Sequence, residues 1–154
     1  MSTLETQPAT LRTIPSYARP AQRGVRVLIL SPYPEIRQSL RRTLEALSTD
    51  VTVCSNREQG EEVLSRQAFD LAFCDSYLPD GSYSDLIHSD HHWAHRTPRV
   101  AVIVRKGGQE FHLDTLRKGA FAVLQWPGCV TDVELALLRA MREEERTALF
   151  RAIS

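Results

Sequence analysis

The stretch FDLAFCDSYLPDG, residues 69–81, runs from apolar residues into Asp75 and then into a turn that contains Pro and Gly. An apolar run of this length that ends at turn-forming residues is typical of a strand buried on both faces. Asp75 lies where the strand ends. Its carboxylate is therefore either a reactive group in a cleft or an ordinary residue at a strand end.

Four other apolar runs of strand length occur along the chain, and helical patterns separate them. The predicted strands are 25–30, 51–54, 69–75, 99–104 and 120–125. The predicted helices are 34–47, 56–67, 82–92, 108–119 and a last helix from Thr131 of about 20 residues or more. This alternation predicts an α/β fold, a three-layer doubly wound sandwich around a five-stranded parallel sheet.

In an open parallel sheet the functional crevice lies beyond the carboxyl ends of the strands. The candidate site residues are therefore the ones that follow the predicted strands. They are Ser31, Pro32, Asp75, Val104, Arg105 and Trp126.

Length and composition limit the organisation of the chain and its partners. With 154 residues, we expect a flexible N-terminal tail (1–23), one domain (24–142) and a C-terminal extension of the last helix (143–154). The 19 basic and 19 acidic side chains cancel, which argues against binding to nucleic acid or an anionic membrane. Three cysteines without a CxxC pair, and no apolar run of membrane-spanning length, indicate a cytoplasmic protein.

Three motifs carry a resemblance to a known family: PEIRQSL after the first strand, FDLAFCDSYLPDG, and LRKGAFAVLQWP around the fifth strand. Together they resemble the receiver domain of two-component response regulators, over roughly residues 24–142. The resemblance implies a CheY-like, flavodoxin-like sheet with strand order 2-1-3-4-5. It also implies that Asp75 is the equivalent of the aspartate that accepts a phosphoryl group from a histidine kinase.

The resemblance further implies which residues stand at the family's other functional positions. The acidic pair that binds Mg²⁺ falls on Ser31 and Pro32, and the strand-four hydroxyl falls on Val104. The strand-five lysine falls on Trp126, and the aromatic switch residue falls on Val123. Asp75 alone keeps the family's chemistry, while Val104 and Val123 replace the coupled switch pair.

Because phosphoryl transfer depends on metal and cation support, these replacements predict an atypical pseudo-receiver that is not an enzyme. It would act through protein contacts, with a histidine kinase or a downstream signalling protein as partner. No cofactor is expected, and Mg²⁺ is disfavoured. One alternative keeps slow phosphorylation of Asp75, with Arg105 or Lys106 as the missing cation. A weaker alternative is a flavodoxin-like nucleotide or flavin binder.

Three further features have open interpretations. The cluster HSDHHWAH, residues 88–95, is either a metal site or, as we prefer, a solvated helix end. Trp126 is either a plug over the cleft, which we favour, or an anchor for a partner, and its bond to Pro127 is expected to be cis. The exposed apolar residues near the end of the last helix indicate a homodimer contact or a connection to another domain.

Overall fold

The structure, a computed structural model, describes residues 24–87, 97–128 and 130–153. The predicted tail (1–23), the histidine cluster (88–95) and Cys129 lie outside the described residues. The sequence predicts that the cysteines are small buried core residues, and Cys54 and Cys74 are buried free thiols, which confirms this for both.

Strands and helices alternate as the sequence predicts. The strands are β1 (Arg26–Leu30), β2 (Asp50–Cys54), β3 (Leu71–Asp75), β4 (Tyr77–Leu78), β5 (Gly81–Ser82), β6 (Arg99–Val104) and β7 (Ala122–Gln125). The helices are α1 (Pro34–Ala46), α2 (Arg57–Arg66), α3 (Tyr83–Ile87), α4 (Gln109–Arg117) and α5 (Val130–Ile153). Where the boundaries can be compared, they differ from the predicted ones by one or two residues. Residues 88–92, the end of the predicted third helix, lie outside the described residues.

Five parallel strands form one sheet in the order β2-β1-β3-β6-β7. Counted along the chain, this is the predicted order 2-1-3-4-5. The sequence did not predict the short antiparallel hairpin of β4 and β5, which occupies the turn after Asp75. Two-residue strands are too short to show a hydrophobic period, so no pattern could have revealed them.

Helices cover both faces of the sheet. One apolar core lies between the sheet and α1 with α5, and includes Ile29, Phe73 and Leu137. The other lies on the opposite face and receives Leu64 from α2 and Leu86 from α3. Burial on both faces explains why the strands are apolar throughout.

Local sequence determines how the first two helices begin. Pro34 occupies the first turn of α1, where its missing N–H costs nothing. The sequence predicts Asn56 as the cap of α2, and its side-chain oxygen accepts a hydrogen bond from the Gln59 backbone N–H at 2.8 Å. Gly60 allows α2 to approach the sheet, since a Cβ there would lie 2.9 Å from Leu30 Cδ2.

The pattern of residues 108–119 predicts that Phe111, Leu113 and Leu116 form the packing side of α4, and this prediction is wrong. Phe111, Leu113 and Leu116 are all exposed, and the buried residue of this helix is Thr115. The Thr115 hydroxyl donates to the Phe111 carbonyl at 2.8 Å, which satisfies it inside the helix. A hydroxyl that bonds back to its own helix can be buried at little cost. The apolar residues of α4 therefore did not indicate which face of the helix is buried.

Helix α5 runs without interruption through the predicted boundary between residues 142 and 143. Its inner residues Val133, Ala136, Leu137 and Ala140 are buried. Farther along, Arg99 at the start of β6 pairs with Glu144 at 3.2 Å. Within the described ranges, no helix combines the length and apolar character that crossing a bilayer requires.

Phe73 offers a test of this packing, because its side chain is fully buried between the sheet and α1 with α5. We expect Phe73→Ala to lower the free energy of unfolding by about 3–5 kcal/mol, since it removes the ring and leaves a cavity. Urea unfolding followed by circular dichroism measures the change. The matched control is Phe111→Ala on exposed α4, which should cost about 0.5 kcal/mol or less. Equal losses would contradict the described packing.

Candidate functional site

The carboxyl ends of the strands bring the candidate residues to one edge of the sheet. Three backbone hydrogen bonds extend the strand pairing there: Ser31 N–H to Cys54 O at 3.1 Å, Ser76 N–H to Ile103 O at 2.9 Å, and Trp126 N–H to Val104 O at 2.7 Å. In the register of β1 with β3, Leu30 pairs with Cys74. The next residues on each strand, Ser31 and Asp75, therefore lie side by side.

Asp75 is the centre of the site, and its side chain is almost fully buried, with 1% exposed. Its Oδ2 accepts a hydrogen bond from the Ser31 hydroxyl at 3.3 Å, and its Oδ1 accepts one from the Tyr77 backbone N–H at 3.2 Å. Burial raises the pKa of Asp75 above its ordinary value, because a charged carboxylate loses its water. Tyr77, Ser31 and the positive charge of Arg105 act in the opposite direction without cancelling the rise.

Ser31 is held from several sides. Its hydroxyl donates to Asp75 and accepts the Tyr33 backbone N–H at 3.1 Å. The Arg37 guanidinium, one turn into α1, donates to the Ser31 carbonyl at 2.8 Å. Ser31 is itself completely buried, so these bonds satisfy a polar group that water cannot reach.

Arg105 follows β6 and lies at the mouth of the site. Its guanidinium carbon sits 3.7 Å from the centroid of the Tyr33 ring, a close cation–π contact. The same positive charge lowers the pKa of Asp75. Tyr33 therefore positions a cation near the buried carboxylate.

The remaining candidate positions carry apolar side chains that face different cores. Val104 is buried on the α2–α3 face, and Val123 packs against the same core. Trp126 packs against the core on the α1–α5 face and lines a pocket of about 40 Å³ with Leu40 and Val133. The Trp126–Pro127 bond is cis, as predicted. The position of Trp126 as a plug over Asp75 stays a prediction.

The donors at this edge do not fit a Mg²⁺ site. Mg²⁺ binds through carboxylates and water, and beside Asp75 the chain offers a serine hydroxyl and Pro32, which has no side-chain donor. In the described part of the chain, no three His, Cys, Asp or Glu residues stand close enough together to hold a metal ion.

Two residues that the sequence reasoning missed belong to this site. Tyr33 stacks under Arg105, and Arg37 bonds the Ser31 carbonyl. Tyr33 lies two residues and Arg37 six residues after Ser31, in SPYPEIR, but contacts between strand ends have no signature in a single sequence. Asp80 has a structural role, because its carboxylate accepts the backbone N–H groups of Arg57 and Glu58 at the start of α2.

Comparison with known proteins agrees with this geometry. No family model matches the chain. The response regulator protein PilR of Pseudomonas aeruginosa is 34% identical over 116 residues, which cover 75% of this chain and 25% of PilR. The chain thus spans about a quarter of the length of this curated relative.

Solved structures share the fold. A CheY-like receiver domain protein from Methanospirillum hungatei JF-1 has a TM-score of 0.69 at 22% identity and covers 80% of this chain and 98% of its own. The beryllofluoride-activated NtrC4 receiver domain dimer has a TM-score of 0.67 at 24% identity, covering 77% and 97%.

The sheet order, the aspartate at the end of β3 and these similarities define the class as a CheY-like receiver fold. The chain belongs to the receiver domains of two-component response regulators.

The raised pKa of Asp75 predicts how stability depends on pH. The folded state holds the Asp75 proton to higher pH than the unfolded state, so stability falls as pH rises from the ordinary value of 3.8 through the raised pKa. We therefore expect Asp75→Asn to be more stable than the parent at pH 7. The difference should vanish at pH values below 3.8, where both side chains are neutral. Urea midpoints across this pH range measure it.

Asp80→Asn is the matched control, because backbone donors at the start of α2 lower the pKa of Asp80. Its contribution has the opposite sign, present above the ordinary carboxyl pKa and lost in acid. Asp80→Asn should therefore destabilise the protein at pH 7. If the parent is more stable than Asp75→Asn at pH 7, the buried charge of Asp75 does not destabilise the folded protein and the prediction is wrong.

Proposed function

We propose that this receiver domain signals through contacts with other proteins and does not undergo efficient phosphorylation at Asp75. One observation carries the proposal: the neighbour of Asp75 at the end of β1 is Ser31, whose hydroxyl donates to the carboxylate at 3.3 Å. A neutral hydroxyl satisfies the carboxylate but recruits no divalent cation. In this proposal the protein is cytoplasmic, is not an enzyme, and binds neither nucleic acid nor membranes.

The physical reason lies in the charge of the reaction. Transfer of a phosphoryl group is catalysed mainly by positioning and by neutralising the charge on its oxygens. At this edge the valine side chain of Val104 has no donor, and Trp126 carries one neutral N–H on a ring packed toward α1 and α5. The phosphoryl oxygens would meet the Asp75 charge with little compensation.

The Val104 and Val123 pair supports the same proposal. In the family that the sequence resembles, a hydroxyl and an aromatic residue at these positions move together when the aspartate is phosphorylated. Here both valines are packed in the α2–α3 core. Moving either one would expose apolar surface without forming a new hydrogen bond. The proposed output is therefore a surface already present in the unmodified protein, recognised by a histidine kinase or a downstream signalling protein.

Incubation with acetyl phosphate and Mg²⁺, followed by intact-protein mass spectrometry, tests the proposal. We expect no phosphoryl adduct on the parent chain, because the site lacks metal ligands and a lysine. An adduct that Asp75→Asn abolishes would refute the absence of phosphorylation.

A restored variant provides the positive control. Ser31→Asp, Pro32→Asp, Val104→Thr and Trp126→Lys together return the family's side chains to the four altered positions. If this variant folds, as circular dichroism would show, it should gain a phosphoryl adduct under the same conditions. A restored variant that folds and stays unmodified would mean that these four residues do not explain the loss.

A second candidate is slow phosphorylation of Asp75 supported by Arg105. The observation that favours it is the position of the Arg105 guanidinium, held 3.7 Å above the Tyr33 ring, where its charge already stabilises the Asp75 carboxylate. A guanidinium can bond two phosphoryl oxygens at once, which would replace part of the missing lysine and metal charge.

Arg105→Gln separates the two candidates. If phosphorylation is slow and depends on Arg105, long incubation of the parent with acetyl phosphate should yield an adduct whose rate falls about tenfold or more in Arg105→Gln. Lys106→Gln, its exposed neighbour, is the matched control and should leave the rate unchanged. Equal rates in the parent and Arg105→Gln would remove the support for this candidate.

A homodimer through α5 forms the third part of the proposal. Leu135, Leu138 and Leu149 of this helix are all more than half exposed. A contiguous exposed apolar patch is the kind of surface that marks a protein–protein contact. The NtrC4 receiver domain, similar in fold, was solved as a dimer. We propose that a second copy of this chain covers these leucines.

A further inference from the structure

Helix α5 has two apolar faces. Val133, Ala136, Leu137 and Ala140 pack into the domain core. On the other side, Leu138 is 57% exposed and Leu149 is 63% exposed. Since each residue of a helix turns by about 100°, the outward leucines lie nearly opposite the buried residues. The core cannot cover this outer face.

The outer face follows a heptad pattern. Its positions alternate spacings of three and four residues, as in the contact seam of a coiled coil: Leu135, Leu138, Arg142, Glu145, Leu149 and Ala152. Arg142 and Glu145 interrupt the apolar seam at its middle. Both side chains are exposed, and neither forms an ion pair or hydrogen bond within the described ranges.

The two charges distinguish between the possible orientations of a helix pair. In a parallel pair in register, Arg142 would face Arg142 of the second copy and Glu145 would face Glu145. In an antiparallel pair centred between these positions, Arg142 faces the partner's Glu145, and the two-fold axis repeats the contact. Like charges at a seam repel and opposite charges attract, so the antiparallel order is favoured.

The same register also matches the apolar residues. Leu138 then lies opposite the partner's Leu149, and Leu135 lies opposite the partner's Ala152. The paired segment, 135–152, extends for about 27 Å. A leucine therefore meets a leucine on either side of the central charges, and a leucine meets an alanine at each end. No other register about this seam pairs both charges with opposite partners.

The body of each domain leaves this face open. Arg139 stacks on the Phe121 ring at 4.4 Å, and Glu144 pairs with Arg99 at 3.2 Å. These two contacts hold α5 to its own domain and do not involve the outer leucines. The two domains would therefore lie on the outer sides of the helix pair. Arg146, which also borders the seam, is paired with Glu143 at 3.5 Å.

We propose that two copies of this chain associate through antiparallel α5 helices, with Arg142 of each copy opposite the partner's Glu145. This inference rests on the proposed homodimer and assigns its surface, orientation and register. It requires no phosphoryl group, so the assembly forms in the unmodified protein. The six seam positions of each copy supply apolar contact at both ends and charge specificity at the centre.

Charge exchange tests the orientation. Arg142→Glu places glutamates opposite each other at both symmetric contacts, and Glu145→Arg does the same with arginines. We expect each single variant to raise the dissociation constant of the dimer about tenfold or more. The double exchange, Arg142→Glu with Glu145→Arg, should restore it. Sedimentation velocity over a range of concentrations measures the constant, starting from a monomer of 17.4 kDa.

Cysteine cross-linking tests the register in a Cys129→Ser background, which leaves only the buried thiols Cys54 and Cys74. Leu138→Cys mixed with Leu149→Cys should form a disulfide-linked heterodimer under mild oxidation. Leu138→Cys alone should not cross-link. Efficient cross-linking of Leu138→Cys with itself would indicate a parallel pair and overturn the proposal.

Leu138→Asp and Leu113→Asp form a matched pair that separates this inference from the broader homodimer. Both leucines are exposed, on α5 and α4 respectively. We expect only Leu138→Asp to give a monomer. A dimer that Leu113→Asp breaks and Leu138→Asp spares would overturn the α5 surface but keep self-association. A monomeric parent would overturn both, and neither result depends on the phosphorylation assay.

Discussion

The pairing of β1 with β3 is the constraint on which the site depends. With Leu30 opposite Cys74, the next residues, Ser31 and Asp75, are brought into hydrogen-bond contact at a buried edge of the sheet. The register is itself held by apolar side chains on both faces, which a slip by one residue would send to the wrong core. The packing of the two apolar cores thus determines which side chain lies beside Asp75.

That chemistry is the protonation and hydrogen bonding of one carboxylate. Burial makes its charge costly, and Ser31, Tyr77 and Arg105 compensate only in part. The positive charge of Arg105 lowers the pKa of Asp75, and the Tyr33 ring holds the Arg105 guanidinium in place. Hydrogen bonds from Ser31 and Tyr77 stabilise the buried carboxylate, and the Arg105 guanidinium adds a positive charge near it. Both proposed functions, signalling without phosphorylation and slow phosphorylation supported by Arg105, depend on how well these neighbours compensate the carboxylate charge.

Much of the fold could be predicted from sequence because its signals are local. Apolar runs located the strands, Pro34 and Asn56 marked helix starts, and alternation implied a parallel sheet. Predictions failed where tertiary contacts decide burial. Leucines on α4 that looked like an inner face are exposed, while Thr115 is buried because its hydroxyl bonds its own helix.

The sequence alone determined the fold class and the identity of the side chains at the strand ends, because periodicity and residue type are properties of the chain itself. The strand order followed from the resemblance to receiver domains. The tertiary structure decided that Ser31 bonds Asp75, that Tyr33 holds Arg105 nearby, and that the leucines of α5 are left outside the core. These facts depend on contacts between residues distant in sequence, or on which helix face the sheet covers. Only the packed molecule defines them.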